Sequence, residues 1–261
     1  MIPLRHLLTI TLGLLFAAAP ASRLSAQEAP PAETIIETIT FDVDDGKLYA
    51  PLQEAADTLG WLVTCDPAAR TLLVNGVVVE KNLRRQLLDG TELISGEGLT
   101  AAGAQVNLHP SGQSATVIAG ERQFTLLRAE KRVEVSLGEQ RLRAWQGGRL
   151  VLETNISSGR NGRTPAGSFR AGPFKSRRHR SSRYHNAPMP WSVQINGHIF
   201  IHGFTSVPSY PASHGCVRMP LNKGNPARFF YEWVDRGTPV VVTPVPPTPK
   251  KSRTSSTASS L

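Results

Sequence analysis

Between Glu153 and Glu232 the chain carries no aspartate and no glutamate, although it is 261 residues long and has 20 acids elsewhere. Chemistry that needs two paired carboxylates is excluded from that stretch. Cysteine is almost as scarce: Cys65 and Cys216 are the only two. A disulfide-dense scaffold and a four-cysteine zinc site are therefore both excluded. Long apolar runs are missing too. The run Leu7–Ala19 falls short of the roughly 20 residues that cross a bilayer.

That run has a recognisable setting. Arg5 and His6 precede it, and small residues follow it, with candidate cleavage points after Ala21 or Ala26. Basic, apolar and small segments in that order predict a secretory signal peptide over residues 1–26, hence an exported protein in the periplasm or at the cell wall, with no integral membrane segment after cleavage. The formal charge is +9, and cleavage would remove Arg5 and Arg23 without removing an acid. The basic remainder favours an anionic partner. Nucleic acid is not expected, since no basic stripe is interleaved with aromatics. A carboxylate-bearing extracellular polymer fits better. In an oxidising compartment Cys65 and Cys216 also raise the alternative of a disulfide.

The fold class expected is mainly β with minor α. A small domain over residues 35–128 contains a weak internal repeat, in which "TLGWLVTCDPAARTLLV" aligns with "AAGAQVNLHPSGQSATV". Gly60 meets Gly103, Val63 meets Val106 and Val74 meets Val117. Leu52, Ala55, Ala56 and Leu59 recur at helical spacing, while "WLVTC" and "AQVNL" alternate as strands do. The segment "LYAPLQEAADTLGWLVTCDPAARTLLV" resembles the copper amine oxidase N-terminal-like module over about residues 45–120. No metal site is implied, because His109 alone cannot make one.

A second domain is expected over residues 129–243. "RVEVSLGEQRLRAWQGGRLVLETNISSG" reads as strands around a Gly147-Gly148 hairpin turn. A long Pro-, Arg- and Ser-rich loop is expected to run to Pro190. "WSVQINGHIFIHG" then gives two strands around Asn196-Gly197. A short helix is expected over 225–236 with Pro226 in its first turn, followed by the strand "TPVVVTPV". Residues 244–261 form a basic tail expected to be disordered.

The acid-free stretch holds eleven arginines and lysines, several histidines and Cys216. A cysteine attacks as its thiolate, and both a histidine and nearby positive charge favour that form. Histidine suits the proton shuttle because its ordinary pKa is near 6.5. His214 lies two residues before Cys216 on the same chain, so direct contact would need a turn. His202 arrives on a separate strand and is favoured as the base, with His214 as a supporting group. With no acid nearby, the carbonyl of Gly203 is the candidate for orienting the base. The consecutive N–H groups of Gly215 and Cys216 are candidates for stabilising an oxyanion. His179, His185 and His198 read as surface residues. The loop "FKSRRHRSSRYHN" is a candidate lid or substrate clamp, and Tyr184, Met189 and Trp191 are candidate substrate contacts.

"IHG" at 201–203 followed by "SHGCVRM" at 213–219 resembles the signature of the L,D-transpeptidase catalytic domain. "SSGRNGRTPAGSF" and "APMPWSVQINGHIFIHG" resemble its upstream segments, in the right order. The resemblance implies a β-sandwich acting on tetrapeptide stems of peptidoglycan through a thioester on Cys216, with no cofactor and no metal. It implies His202 as base, Gly203 as its orienting carbonyl and His214 near the oxyanion. It also implies substrate-binding roles for Ser213 and Arg218, and acylation of Cys216 by carbapenems. Two departures stand out: a short interval from His202 to Ser213, and Pro220-Leu221 ahead of Asn222. The same chemistry with water as acceptor would give an L,D-carboxypeptidase or a murein-releasing hydrolase. A non-catalytic cell-wall-binding protein is the alternative of another class.

Overall fold

A computed structural model describes residues 33–44, 46–66 and 71–244. The leader expected over 1–26 and the tail expected over 244–261 lie outside the described residues, apart from Pro244 itself. In the N-terminal segment, β1 (Ile35–Thr38) and β2 (Tyr49–Pro51) lead into α1 (Leu52–Leu59). Leu52, Ala55, Ala56 and Leu59 are the residues that α1 buries, as their spacing requires. Gly60 then ends the helix in the left-handed conformation, with φ of 68°, which a glycine adopts without a Cβ penalty.

The strands β3 (Val63–Asp66), β4 (Thr71–Val74) and β5 (Val77–Val78) form one small sheet, and β6 (Arg84–Gln86) and β7 (Glu92–Ser95) form another with β2. Helix α2 (Gly96–Ala101) is capped by the Ser95 hydroxyl, which accepts from the Gly98 N–H. β8 (Gln105–Leu108), β9 (Ser114–Ala119) and β10 (Arg122–Arg128) complete a four-stranded sheet with β1. The two copies aligned in sequence fold alike, as helix, glycine and hairpin. Val63 lies opposite Val74 in the first hairpin, and Val106 lies opposite Val117 in the second.

The C-terminal segment packs two sheets around one core. The hairpin strands β11 (Lys131–Ser136), β12 (Arg141–Gln146) and β13 (Arg149–Asn155) join β14 (Gly167–Arg170) in a five-stranded sheet. The strands β15 (Lys175–Arg180), β16 (Pro188–Asn196), β17 (Ile199–Phe204) and β18 (Val217–Pro220) make a four-stranded sheet in that order. Between them lies α3 (Pro226–Trp233), capped by the Asn225 side chain, and β19 (Pro239–Thr243) closes the first sheet between β11 and β14. Val135, Leu142 and Val240 from one sheet, Val193, Ile201 and Val217 from the other, and Phe230 and Trp233 from α3 share this core.

Two sequence expectations need correction. The long loop to Pro190 contains β15, paired antiparallel with β16 through Lys175↔Val193 and Arg180↔Pro188. Its basic side chains hide the strand, which is held by ladder pairing more than by an apolar face. The helix expected to reach residue 236 ends at Trp233, because Val234 turns extended while its N–H still bonds the Phe230 carbonyl. No helix among the described residues is long and apolar enough to cross a membrane.

Candidate active site

The parallel pairing of β17 with β18 places His202 opposite Arg218 and Ile201 opposite Val217. Side chains pair across the ladder, so His202 and Arg218 face the same side of the sheet, and Cys216 lies immediately before β18. All three line a cavity of about 500 Å³, together with Tyr184, Met189 and His214.

His202 is only 4% exposed. Its Nδ1 lies 2.9 Å from the Gly203 carbonyl, which can only accept, so Nδ1 carries the hydrogen and Nε2 the lone pair. Burial pushes the imidazole down to about 4; the Gly203 bond opposes this, while Arg218 and His179 add to it. At neutral pH His202 is therefore an uncharged base. The Gly203 backbone is closely packed: a Cβ there would lie 2.4 Å from Leu221 Cδ2, so the Leu221 side chain would have to shift, and 3.2 Å from the Ala227 Cβ.

Cys216 is half-buried, and its Sγ donates to the His198 carbonyl at 3.6 Å. Burial pushes the thiol above its ordinary value, outweighing the opposing effects of a Phe200 backbone bond and the Arg218 charge. The nearby Arg218 charge favours the thiolate, as expected from the sequence, but burial outweighs it. Burial thus favours the neutral form of both the Cys216 thiol and the His202 imidazole, which line the same cavity. Cys65 and Cys216 are both free, so the disulfide alternative is not realised.

The turn before Cys216 is built by hydroxyls. Thr164 Oγ1 accepts from the Gly159 N–H at 2.7 Å and donates to the Gly215 carbonyl at 2.6 Å. The two backbones approach so closely that a Cβ on Gly159 would lie 2.8 Å from the Gly215 Cα. Gly215 itself has φ of 147°, a conformation that glycine permits. Ser213, expected to bind substrate, is 2% exposed; it is among the residues lining the cavity, and it also braces this turn. Its hydroxyl donates to the Cys216 carbonyl and accepts from the Gly215 N–H. Of the two backbone donors expected at an oxyanion, the Gly215 N–H is thus already engaged, and the Cys216 N–H is the other member.

His214 is exposed at the cavity mouth. The Tyr184 ring stacks on it, with centroids 4.5 Å apart and planes 24° apart, and Arg160 Nη2 lies 2.8 Å from its Nε2. Tyr184 sits on the turn between β15 and β16, so this hairpin reaches over the cavity. Met189 is buried against the cavity, and the Arg218 guanidinium sits 4.1 Å above the Phe204 ring. Trp191 is a different case. It packs on Tyr231 at 5.6 Å and lies beneath Arg228, away from the cavity lining, which corrects its expected role as a substrate contact.

His185 is exposed and borders the cavity. His179 is not a free surface residue, because it lies between Phe174 and Phe200 with centroids 5.1 and 5.0 Å away. Sequence reasoning missed Arg160, the working hydroxyl of Thr164 and the His198 carbonyl. The Thr-Pro-x-Gly segment was a signal for Thr164; a backbone carbonyl leaves none. No cluster of three or more His, Cys, Asp or Glu among the described residues could hold a metal ion.

Residues 130–242 match the family model of the L,D-transpeptidase catalytic domain. Among solved structures, the L,D-transpeptidase from Xylanimonas cellulosilytica DSM 15894 is similar at 31% identity and a TM-score of 0.40, over 44% of this chain and 61% of that one. The L,D-transpeptidase from Stackebrandtia nassauensis is similar at 26% identity and a TM-score of 0.39, over 44% and 55% of the two chains. The L,D-transpeptidase from Mycobacterium smegmatis is similar at 13% identity and a TM-score of 0.40, over 82% and 95%. The chain thus spans under two thirds of the first two of these relatives. No curated protein matches it.

Proposed function

We propose, taking residues 130–242 as an L,D-transpeptidase catalytic domain, that the protein is exported and remodels peptidoglycan by acyl transfer through Cys216. The observation that carries this reading is a neutral His202, its tautomer set by the Gly203 carbonyl, in the same cavity as Cys216. Sγ attacks the third-residue carbonyl of a stem tetrapeptide while its proton passes to His202 Nε2. His202 then gives that proton to the departing amine, leaving a thioester. An incoming amine repeats the steps in reverse and releases the cross-linked product. The Cys216 N–H and His214 serve the oxyanion side, and the Arg218 and Arg183 cations at the cavity receive stem carboxylates. Tyr184 and Met189 bind substrate under the β15–β16 hairpin, which acts as the lid.

Residues 35–128 accompany this domain as a small two-repeat module. Carbapenems acylate the same thiol, because their strained amide presents an equivalent carbonyl. The test is incubation of the mature protein with a tetrapeptide donor and an amine acceptor, with products separated and weighed. The expected result is a donor–acceptor dimer that disappears in Cys216→Ala. Tripeptide alone would identify water as the acceptor and a hydrolase. Sacculus binding that survives Cys216→Ala, with no product from the wild type, would identify a binding protein and overturn the proposal.

A further inference from the structure

Arg160 lies in "SSGRNGRTPAGSF" with no role assigned to it from the sequence, yet it makes two contacts to the segment that carries Cys216. Its backbone N–H donates to the Ser213 carbonyl at 3.0 Å, next to a bridge between Gly159 and Ser213. Its guanidinium Nη2 reaches Nε2 of His214 at 2.8 Å. The first contact fixes where the Arg160 chain sits relative to the "SHGC" turn, so the second is built in by the backbone as well as by the side chain. The close approach of Gly159 to Gly215, under the Thr164 hydroxyl, makes that placement stiff.

A guanidinium is always protonated and can only donate. The Nε2 that it meets must therefore offer a lone pair, which leaves the hydrogen of a neutral His214 on Nδ1. This is the less usual tautomer for a free imidazole, and a second proton on Nε2 would break the Arg160 bond and put two cations in contact. The groups around the ring agree in sign. Arg160 and Arg163 face it from the loop after β13, Arg218 from β18, and the uncharged Tyr184 ring covers one face from the β15–β16 hairpin. Slight burial and these three arginines all lower the His214 pKa, and no carboxylate opposes them.

We propose that Arg160 is a positioning residue that holds His214 as the neutral Nδ1–H tautomer, so that His214 serves the site as a hydrogen-bond donor and never as a second base. The two histidines of the site then have matched tautomers and opposite duties. Both carry hydrogen on Nδ1, but His202 spends it on the Gly203 carbonyl and keeps Nε2 for the thiol proton. His214 spends Nε2 on Arg160 and keeps its N–H for the substrate. The catalytic consequence rests on the reading of Cys216 as nucleophile; the tautomer does not.

The test is histidine-selective nitrogen-15 spectroscopy of the full chain, titrated with pH, with His214 assigned by its absence in His214→Gln. The wild type is expected to show His214 protonated at Nδ1, with Nε2 unprotonated and an ionisation below that of a free histidine. Arg160→Gln should move His214 toward the Nε2–H tautomer and raise its ionisation. Arg160→Lys, which restores a cation that can only donate, should return it part of the way. In the acylation assay Arg160→Gln should lower kcat between about tenfold and a hundredfold with KM little changed, and should add a histidine-like limb to the pH profile. A wild-type His214 protonated at Nε2, or an Arg160→Gln spectrum identical to the wild type, would overturn the proposal. The nuclear readout stands whether or not the protein acylates, so failure of the transpeptidase reading is seen separately in the mass assay. If Arg160→Gln does not fold, the wild-type tautomer alone decides.

Discussion

Burial is the largest influence on both His202 and Cys216, and it shifts their ionisation in opposite directions. It keeps His202 deprotonated down to about pH 4 and keeps the Cys216 thiol protonated above its ordinary range. Both groups are thus favoured in their neutral forms, and in the proposed mechanism the thiolate forms as the proton moves to His202. One consequence is selective alkylation. Iodoacetamide reacts with thiolate, so at pH 7 it should modify exposed Cys65 faster than Cys216, as peptide mass spectrometry can show. Equal rates would indicate a resting thiolate at Cys216. A second consequence separates the histidines. His202→Gln should slow acylation about 100-fold or more, because a general base is lost. His214→Gln should cost less and leave the neutral-pH plateau in place. The reverse ranking, from initial acylation rates, would exchange their roles. Both histidines and Cys216 were legible in the sequence because their spacing and residue types are chemical. The sign of the net effect on the thiol was not, since it depends on how far the fold excludes water.

At the scale of elements, the site depends on two close approaches that side chains would prevent. Gly203→Ala puts a methyl against Leu221 and Ala227 and should destabilise the protein by about 1–3 kcal/mol through overpacking, read from the urea midpoint. Thr164→Val keeps the shape but leaves the Gly159 N–H and the Gly215 carbonyl without the hydroxyl that joins them. It should cost about 2–4 kcal/mol and slow acylation, and Thr164→Ser should recover most of both. A Val variant of wild-type stability would show that the hydroxyl is incidental. Periodicity revealed α1, the β11–β13 meander and the β16–β17 hairpin, because each puts an apolar face on a core. It failed at β15, where arginines occupy a strand that only its ladder to β16 defines. It also failed at Trp191, whose partners Tyr231 and Arg228 come from α3, distant in sequence.

Across the whole molecule, residues 36–126 hold a core of their own, and a few residues of the same segment also join the core of the C-terminal sheets. Ile39, Phe41, Tyr49, Leu87 and Leu93 from the N-terminal segment lie in the same core as Phe229 and Trp233 of α3. Phe41 meets Phe229 edge-on at 5.7 Å, and Arg85 bridges Asp44 and Glu232 across the same seam. Phe41→Ala should therefore cost about 3 kcal/mol or more and lower the melting temperature of the protein. Stability should also follow the His202 proton. Between pH 6.5 and about 4 the unfolded chain binds a proton that the folded chain refuses. Stability is thus fullest above that window and declines as pH falls through it, by about 3 kcal/mol in total for this one group. Denaturation midpoints should show that slope in the wild type and lose it in His202→Gln.

The most direct measurement of the central claim is the intact mass of the protein after incubation with a carbapenem. A single stoichiometric adduct on the wild type, mapped to Cys216 and absent from Cys216→Ala, is the predicted result. An unmodified wild type, or an adduct that persists in Cys216→Ala, would contradict the assignment of Cys216 as the nucleophile.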